Sequence, residues 1–85
     1  MADSRVLPTV VELVRIVGKV APTILVTEES RFVEDLGIDS LDLVSVFLRV
    51  QDRYSVEIED ADIPVLTTIG RLCRYIAERV GVAAA

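Results

Sequence analysis

Eighty-five residues, 52% of them apolar, with a net charge of −5, are enough for one small globular domain and too apolar for an obligately disordered chain. A single cysteine, Cys73, excludes an internal disulfide, and the absence of histidine removes the Ser-His-Asp triad, the Cys-His pair and the usual zinc ligand sets. Residues 28–62 hold eleven acids against three arginines, which argues against nucleic-acid binding and for partners with basic patches, a merely solvated acidic surface being the alternative.

In chain order, Val6, Val10, Leu13, Val14, Val17 and Val20 or Ala21 follow the 3, 4, 3 spacing of a helix. It starts between Ser4 and Pro8, because proline suits a first turn, and Ala21-Pro22 stops it. A long connection over roughly 21–38 follows, anchored by Ile24, Val26, Phe32 and Leu36; a loop of this length is usually functional or holds a helical turn. Gly37 permits a sharp turn. Asp39 then caps a second helix from about Ser40 to Tyr54, with Asp42 completing an approximate capping box. Residues 55–58 are extended, and Glu59-Asp60 opens a helix of about one turn before Pro64. Thr67 or Thr68 caps the last helix, whose apolar face is Ile69, Leu72, Cys73, Ile76 and Val80 and whose end is Gly81. The expectation is all-α: three longer helices and one short one around a core rich in valine and leucine, in a single domain over 1–85 with frayed ends at 1–4 and 82–85. No apolar stretch approaches the roughly 18–20 residues of a membrane span, and the N-terminus lacks the flank and apolar core of a signal peptide, so the expected location is cytoplasmic.

The second helix has two apolar stripes. At about 100° per residue, Leu43, Val46, Phe47, Val50 and Tyr54 form an ordinary core face. Leu41, Val44 and Leu48 fall on another side, next to Ser40, with Asp42, Ser45, Arg49 and Asp52 in the polar band between. One small core cannot bury both stripes. Either the long loop covers Leu41, Val44 and Leu48, or they face a partner.

Ser40 lies where a helix N-terminus favours anions, a term of about 0.3–1 kcal/mol when exposed. Asp39 and Asp42 would oppose an anion there, so charge alone does not explain the GIDSLD run of residues 37–42. Serines near helix starts are common, and spacing by itself leaves Ser40 as either a capping-region residue or a reactive one.

The run FVEDLGIDSLDLV, residues 32–44, resembles the modification site of acyl carrier proteins, and VTEESRF, YSVEI and DIPVLTTIGRLCRYI extend the resemblance over about residues 5–80. It implies a four-helix bundle whose serine carries 4′-phosphopantetheine, attached from coenzyme A by a separate phosphopantetheinyl transferase. The arm's thiol holds an acyl group as a thioester. The attachment serine maps onto Ser40, its preceding acid onto Asp39 and a partner-facing acid onto Asp42; Leu41, Val44 and Leu48 become a docking face. The implied role is a non-catalytic carrier in fatty-acid, lipid or polyketide-type biosynthesis. It is a monomer served by a transferase and by acyl-transfer or synthase enzymes with basic patches, with no nucleic acid, membrane span or metal. Ser45 and Gln51 stand where carriers of bulk fatty-acid synthesis usually have glutamates, and Arg49 and Arg53 add positive charge, which points to a specialised stand-alone carrier. Ile38 replaces a residue often small in the family. The acyl chain is expected between the second helix and the short one, lined by Leu43, Phe47, Ile58, Ile63, Leu66 and Ile69; the alternative is that these are ordinary core. Rival readings are an aminoacyl or peptidyl carrier and an unmodified interaction module of the same fold. The acids of residues 28–42 do not fit an EF-hand loop, and Cys73 is expected to be a buried, inert thiol.

Overall fold

The computed structural model describes residues 6–84, the last four as helix backbone only. Helix α1 spans Leu7–Val17, with Pro8 in its first turn, and buries Val10 and Val14. It stops four residues short of Ala21-Pro22. The Gly18 N–H donates to the Val14 carbonyl at 2.9 Å, and Lys19 then adopts φ 56°, a left-handed conformation that ends the helical path. Arg15 secures the exit, its guanidinium donating to the Ile24 carbonyl at 2.9 Å.

The connection that follows is a wrapped loop with Phe32, Leu36 and Ile38 buried and Ile24 and Val26 packed against the core. Two backbone bonds tie it to residues 67–69, Phe32 N–H to the Thr67 carbonyl and Ile69 N–H to the Ser30 carbonyl, each at 3.1 Å. They frame an isolated antiparallel bridge between Arg31 and Thr68. Arg31 also grips Asp35 with two guanidinium bonds at 3.1 Å. Those bonds and the Arg31 backbone N–H hold the Asp35 carboxyl below the usual carboxylate range, and the same pairing raises the Arg31 guanidinium.

Helix α2 spans Ser40–Tyr54, the bounds that its cap and periodicity imply. Val46, Phe47 and Val50 are buried, and Phe47 meets Phe32 edge-to-face with ring centroids 5.8 Å apart. Ser55, at φ 55°, ends it. The expected short helix opening at Glu59-Asp60 is instead a turn over residues 60–62 leading into a three-residue 3-10 turn, Ile63–Val65, that contains Pro64. Carbonyls of Glu59, Asp60, Asp62 and Ile63 accept from the N–H three residues on. The bond from position 64 is missing because proline has no N–H, so a helix begun at Glu59-Asp60 is interrupted there.

Helix α3 spans Ile69–Ala84 and is capped by Thr68, whose hydroxyl accepts the Arg71 N–H at 3.2 Å. Ile69, Leu72, Cys73 and Ile76 are fully buried. The helix continues through Gly81, where an end was expected. A lone glycine costs about 1 kcal/mol in a helix interior, and here the chain beyond it, Val82 and alanines, favours continuation. Of the expected frayed ends, residues 82–84 continue the helix, and residues 1–4 and Ala85 lie outside the described residues.

Among the described residues the architecture is therefore all-helical, three α-helices and one 3-10 turn, with α1 packed against both α2 and α3. No helix among the described residues is long and apolar enough to cross a membrane.

Candidate functional site at the start of α2

The turn before α2 presents a short run of residues with separate tasks. Gly37 takes φ +67°, which an L side chain rarely adopts, and lets the Ile38 N–H reach back to the Phe32 carbonyl at 3.0 Å. Ile38 is 1% exposed and packs against Gly18; a Cβ on Gly18 would lie 2.9 Å from the Ile38 Cδ1. The loop, α1 and the start of α2 are thus locked together two residues before Ser40.

Asp39 is extended (ψ 171°), and its Oδ1 accepts the Asp42 N–H at 2.8 Å, while its carbonyl accepts from Leu43 at 2.9 Å. The return bond that would complete a capping box is not made. Instead the Asp42 carboxylate lies 4.0 Å from the Lys19 ammonium, which the left-handed turn after α1 brings to this end. Lys19 is 78% exposed, so the pair is a weak one, but it brings a cation to the first turn of α2. Nothing in the sequence marked Lys19; only its conformation places it here.

Ser40 is exposed, and its hydroxyl has no hydrogen-bond partner among the described residues. Capping is Asp39's task. The N–H groups of Ser40 and Leu41, at the first two positions of α2, have no intrahelical acceptor and stand open to an anion. A free primary hydroxyl beside unpaired N–H groups is what attachment of a phosphodiester-linked group requires: room on the solvent side and donors for its oxygens.

Leu41, Val44 and Leu48 are 79%, 54% and 59% exposed. The long loop does not cover them. They form a stripe along α2 that starts next to Ser40, bordered by Ser45, Arg49 and Asp52.

The residues expected to line an acyl pocket are divided. Leu43, Ile63 and Leu66 border a cavity of about 220 Å³, together with Phe32, Val33, Glu34, Pro64 and Thr67. Phe47, Ile58 and Ile63 border a second of about 290 Å³, with Val44, Leu48, Gln51, Glu57 and Asp60. Ile63 is common to both. Ile69 lines neither and is fully buried among core side chains. A more open depression of about 660 Å³ at the start of α3 is polar, lined by Glu28, Glu29, Arg71 and Arg74 among others, and includes no residue of the α2 site. Among the described residues no three acids or thiols gather as a metal site.

Comparison with known proteins bears on the same region. The family described as phosphopantetheine attachment site matches residues 8–76. The chain is 39% identical over 56 residues to an acyl carrier protein of Thermotoga maritima, a stretch that is 66% of this chain and 69% of that one. It is 33% identical over 76 residues to a meromycolate extension acyl carrier protein of Mycobacterium tuberculosis, 89% of this chain and 65% of the relative. The solution structure of a protein from Anaplasma phagocytophilum, provisionally assigned as an acyl carrier protein, superposes with a TM-score of 0.85 at 30% identity, covering 93% of this chain and 92% of that one.

Proposed function

The chain belongs to the acyl carrier protein family, whose members bear 4′-phosphopantetheine, and we propose that Ser40 is the residue that carries it here. The observation that supports this reading is the division of tasks at the start of α2: Asp39 accepts the capping bond, leaving the exposed Ser40 hydroxyl unpaired. When bound, the arm supplies a terminal thiol on which an acyl group is held as a thioester. Ser40 Oγ attacks the pantetheine-bearing phosphorus of coenzyme A, the pyrophosphate P–O bond breaks, 3′,5′-ADP leaves with the bonding pair, and the hydroxyl proton goes to a base of the transferase, since the chain has no histidine. The open N–H groups of Ser40 and Leu41 and the Lys19 ammonium favour the phosphate, while Asp39 and Asp42 oppose it. The acids therefore serve recognition by a basic partner.

Leu41, Val44 and Leu48 form the docking face, with Asp39 and Asp42 at its rim. The partner this fits has an apolar patch edged by Lys or Arg. Arg49 and Arg53 further along α2 reverse the sign of the lower rim and select against a uniformly basic partner. The protein is a specialised carrier for fatty-acid, lipid or polyketide-type biosynthesis, without catalysis of its own, monomeric and cytoplasmic. Its acyl chain is sheltered between α2 and residues 58–66, since each methylene removed from water contributes about 0.8 kcal/mol.

The test is intact mass after incubation with coenzyme A and a broad-specificity transferase, followed by fragmentation. One phosphopantetheine on the peptide that contains Ser40 is expected; modification elsewhere, or none, refutes the assignment. Asp42→Lys should slow that transfer several-fold at low salt and keep its helical circular dichroism, because rim charges act mainly on association rate. An unchanged rate removes Asp42 from the recognition surface.

A further inference from the structure

Residues 59–66 form the outer wall shared by the two cavities beside α2, and they are held lightly. Their internal bonds are the turn bonds of the 3-10 segment. At one end the Ile58 N–H donates to the Gln51 side chain at 3.0 Å, and at the other Thr67 is tied to Phe32 at 3.1 Å. Leu66 is buried, but Pro64 and Val65 are exposed and Ile63 only half-buried.

Between those ends, every polar link from this wall to a helix among the described residues runs to Tyr75 and Arg79 of α3. The Tyr75 hydroxyl donates to Asp62 Oδ2 at 2.8 Å and accepts the Glu59 N–H at 3.3 Å. The Arg79 guanidinium lies 3.4 Å from the centre of the Tyr75 ring and reaches the same Asp62 oxygen at 3.9 Å. Burial, with the acceptor carboxylate assisting, raises the Tyr75 phenol above its ordinary value. Asp62 immediately precedes Ile63, the side chain that borders both cavities. Widening either cavity, or merging them, requires residues 60–65 to move away from α2, and the link at Asp62 resists that movement.

We infer that Tyr75 and Arg79 form a clasp on Asp62 that sets how far this wall opens, and thereby how long an acyl chain the carrier shelters. Tyr75 is a positioning residue, since it touches neither cavity. The inference rests on the sheltering reading above, and the two are separable by experiment.

In the unloaded protein, Tyr75→Phe should raise amide exchange at Asp62, Val65 and Leu66 by about tenfold, as expected for losing a bond to a charged acceptor. Exchange at Val46 and Val50 should rise much less. Arg79→Gln removes the ion pair and the ring contact at a surface position and leaves the Tyr75–Asp62 bond, so it should give a smaller rise; it also keeps the test alive if Tyr75→Phe folds poorly. Both variants and the wild type are then loaded with saturated acyl groups of increasing length. The melting temperature of the wild type should climb with length to a plateau, and the plateau should move to longer chains in Tyr75→Phe. Equal increases in exchange throughout the molecule, or a plateau at the same length in both variants, overturn the clasp alone. A flat wild-type series removes the sheltering reading, and the inference with it.

Discussion

Ser40→Ala should accept no phosphopantetheine at all while melting within a degree or two of the wild type. The loss is complete because the arm's ester needs an oxygen that alanine lacks. The fold is spared because the Ser40 hydroxyl bonds to nothing among the described residues, and the cap it could have supplied comes from Asp39. Alanine is also the strongest helix former at an exposed helical position, and such changes usually stay within about 0.5 kcal/mol. Intact mass after transferase treatment and a thermal melt followed by circular dichroism read the two halves separately. Ser45→Ala, one turn along the same exposed helix, is the control and should be modified like the wild type. Any mass gain in Ser40→Ala would displace the attachment site, and a large fall in melting temperature would mean that the hydroxyl has a structural task.

The second large effect is expected away from the chemistry. Gly18→Ala should lower the melting temperature by roughly 4–24 °C, since overpacking a close contact costs about 1–3 kcal/mol and a domain of this size loses about 4–8 °C per kcal/mol. A Cβ at residue 18 would sit 2.6 Å from the Val14 carbonyl oxygen and 2.9 Å from the Ile38 Cδ1. Ile38 cannot retreat freely, because it is buried and its N–H is bonded to Phe32. The strain would pass along two residues to Ser40, so modification should slow as well. Ile38→Val removes the Cδ1 and should restore part of both losses in the double variant. Strict additivity of the two single changes would show that the residues do not press on each other.

How far the sequence could be read follows from where each structural cause lies. The bounds of α2 are local: a capping aspartate, an apolar period and the chain turn after Tyr54 all act within a few residues. The exposed stripe of Leu41, Val44 and Leu48 was legible as a surplus, because one helix cannot bury two faces in so small a core. The end of α1 was not legible. It depends on Lys19 taking a left-handed conformation, to which lysine gives no signal, and Pro22 looked like the stronger stop. The short turn was displaced towards Pro64 because acids at 59 and 60 resemble a helix start, whereas the hydrogen bonds that form are of the tighter i, i+3 kind. Ile38 had no visible purpose until Gly18 was seen against it, twenty residues earlier in the chain. Likewise the cluster joins Asp62 to Tyr75 and Arg79, thirteen and seventeen positions further on, beyond the reach of any periodicity.

The burial of Cys73 has a chemical consequence for a protein of this family. A thioester is carried safely only if no other thiolate can attack it, since thiol exchange would strand the acyl group on the wrong sulfur. The chain has one cysteine, and α3 turns it wholly into the core, with no exposed surface. The folded carrier therefore offers an incoming enzyme a single accessible thiol, that of the arm. It has no thiol of its own that could intercept the cargo, or that could link two carriers through a disulfide while the fold is intact.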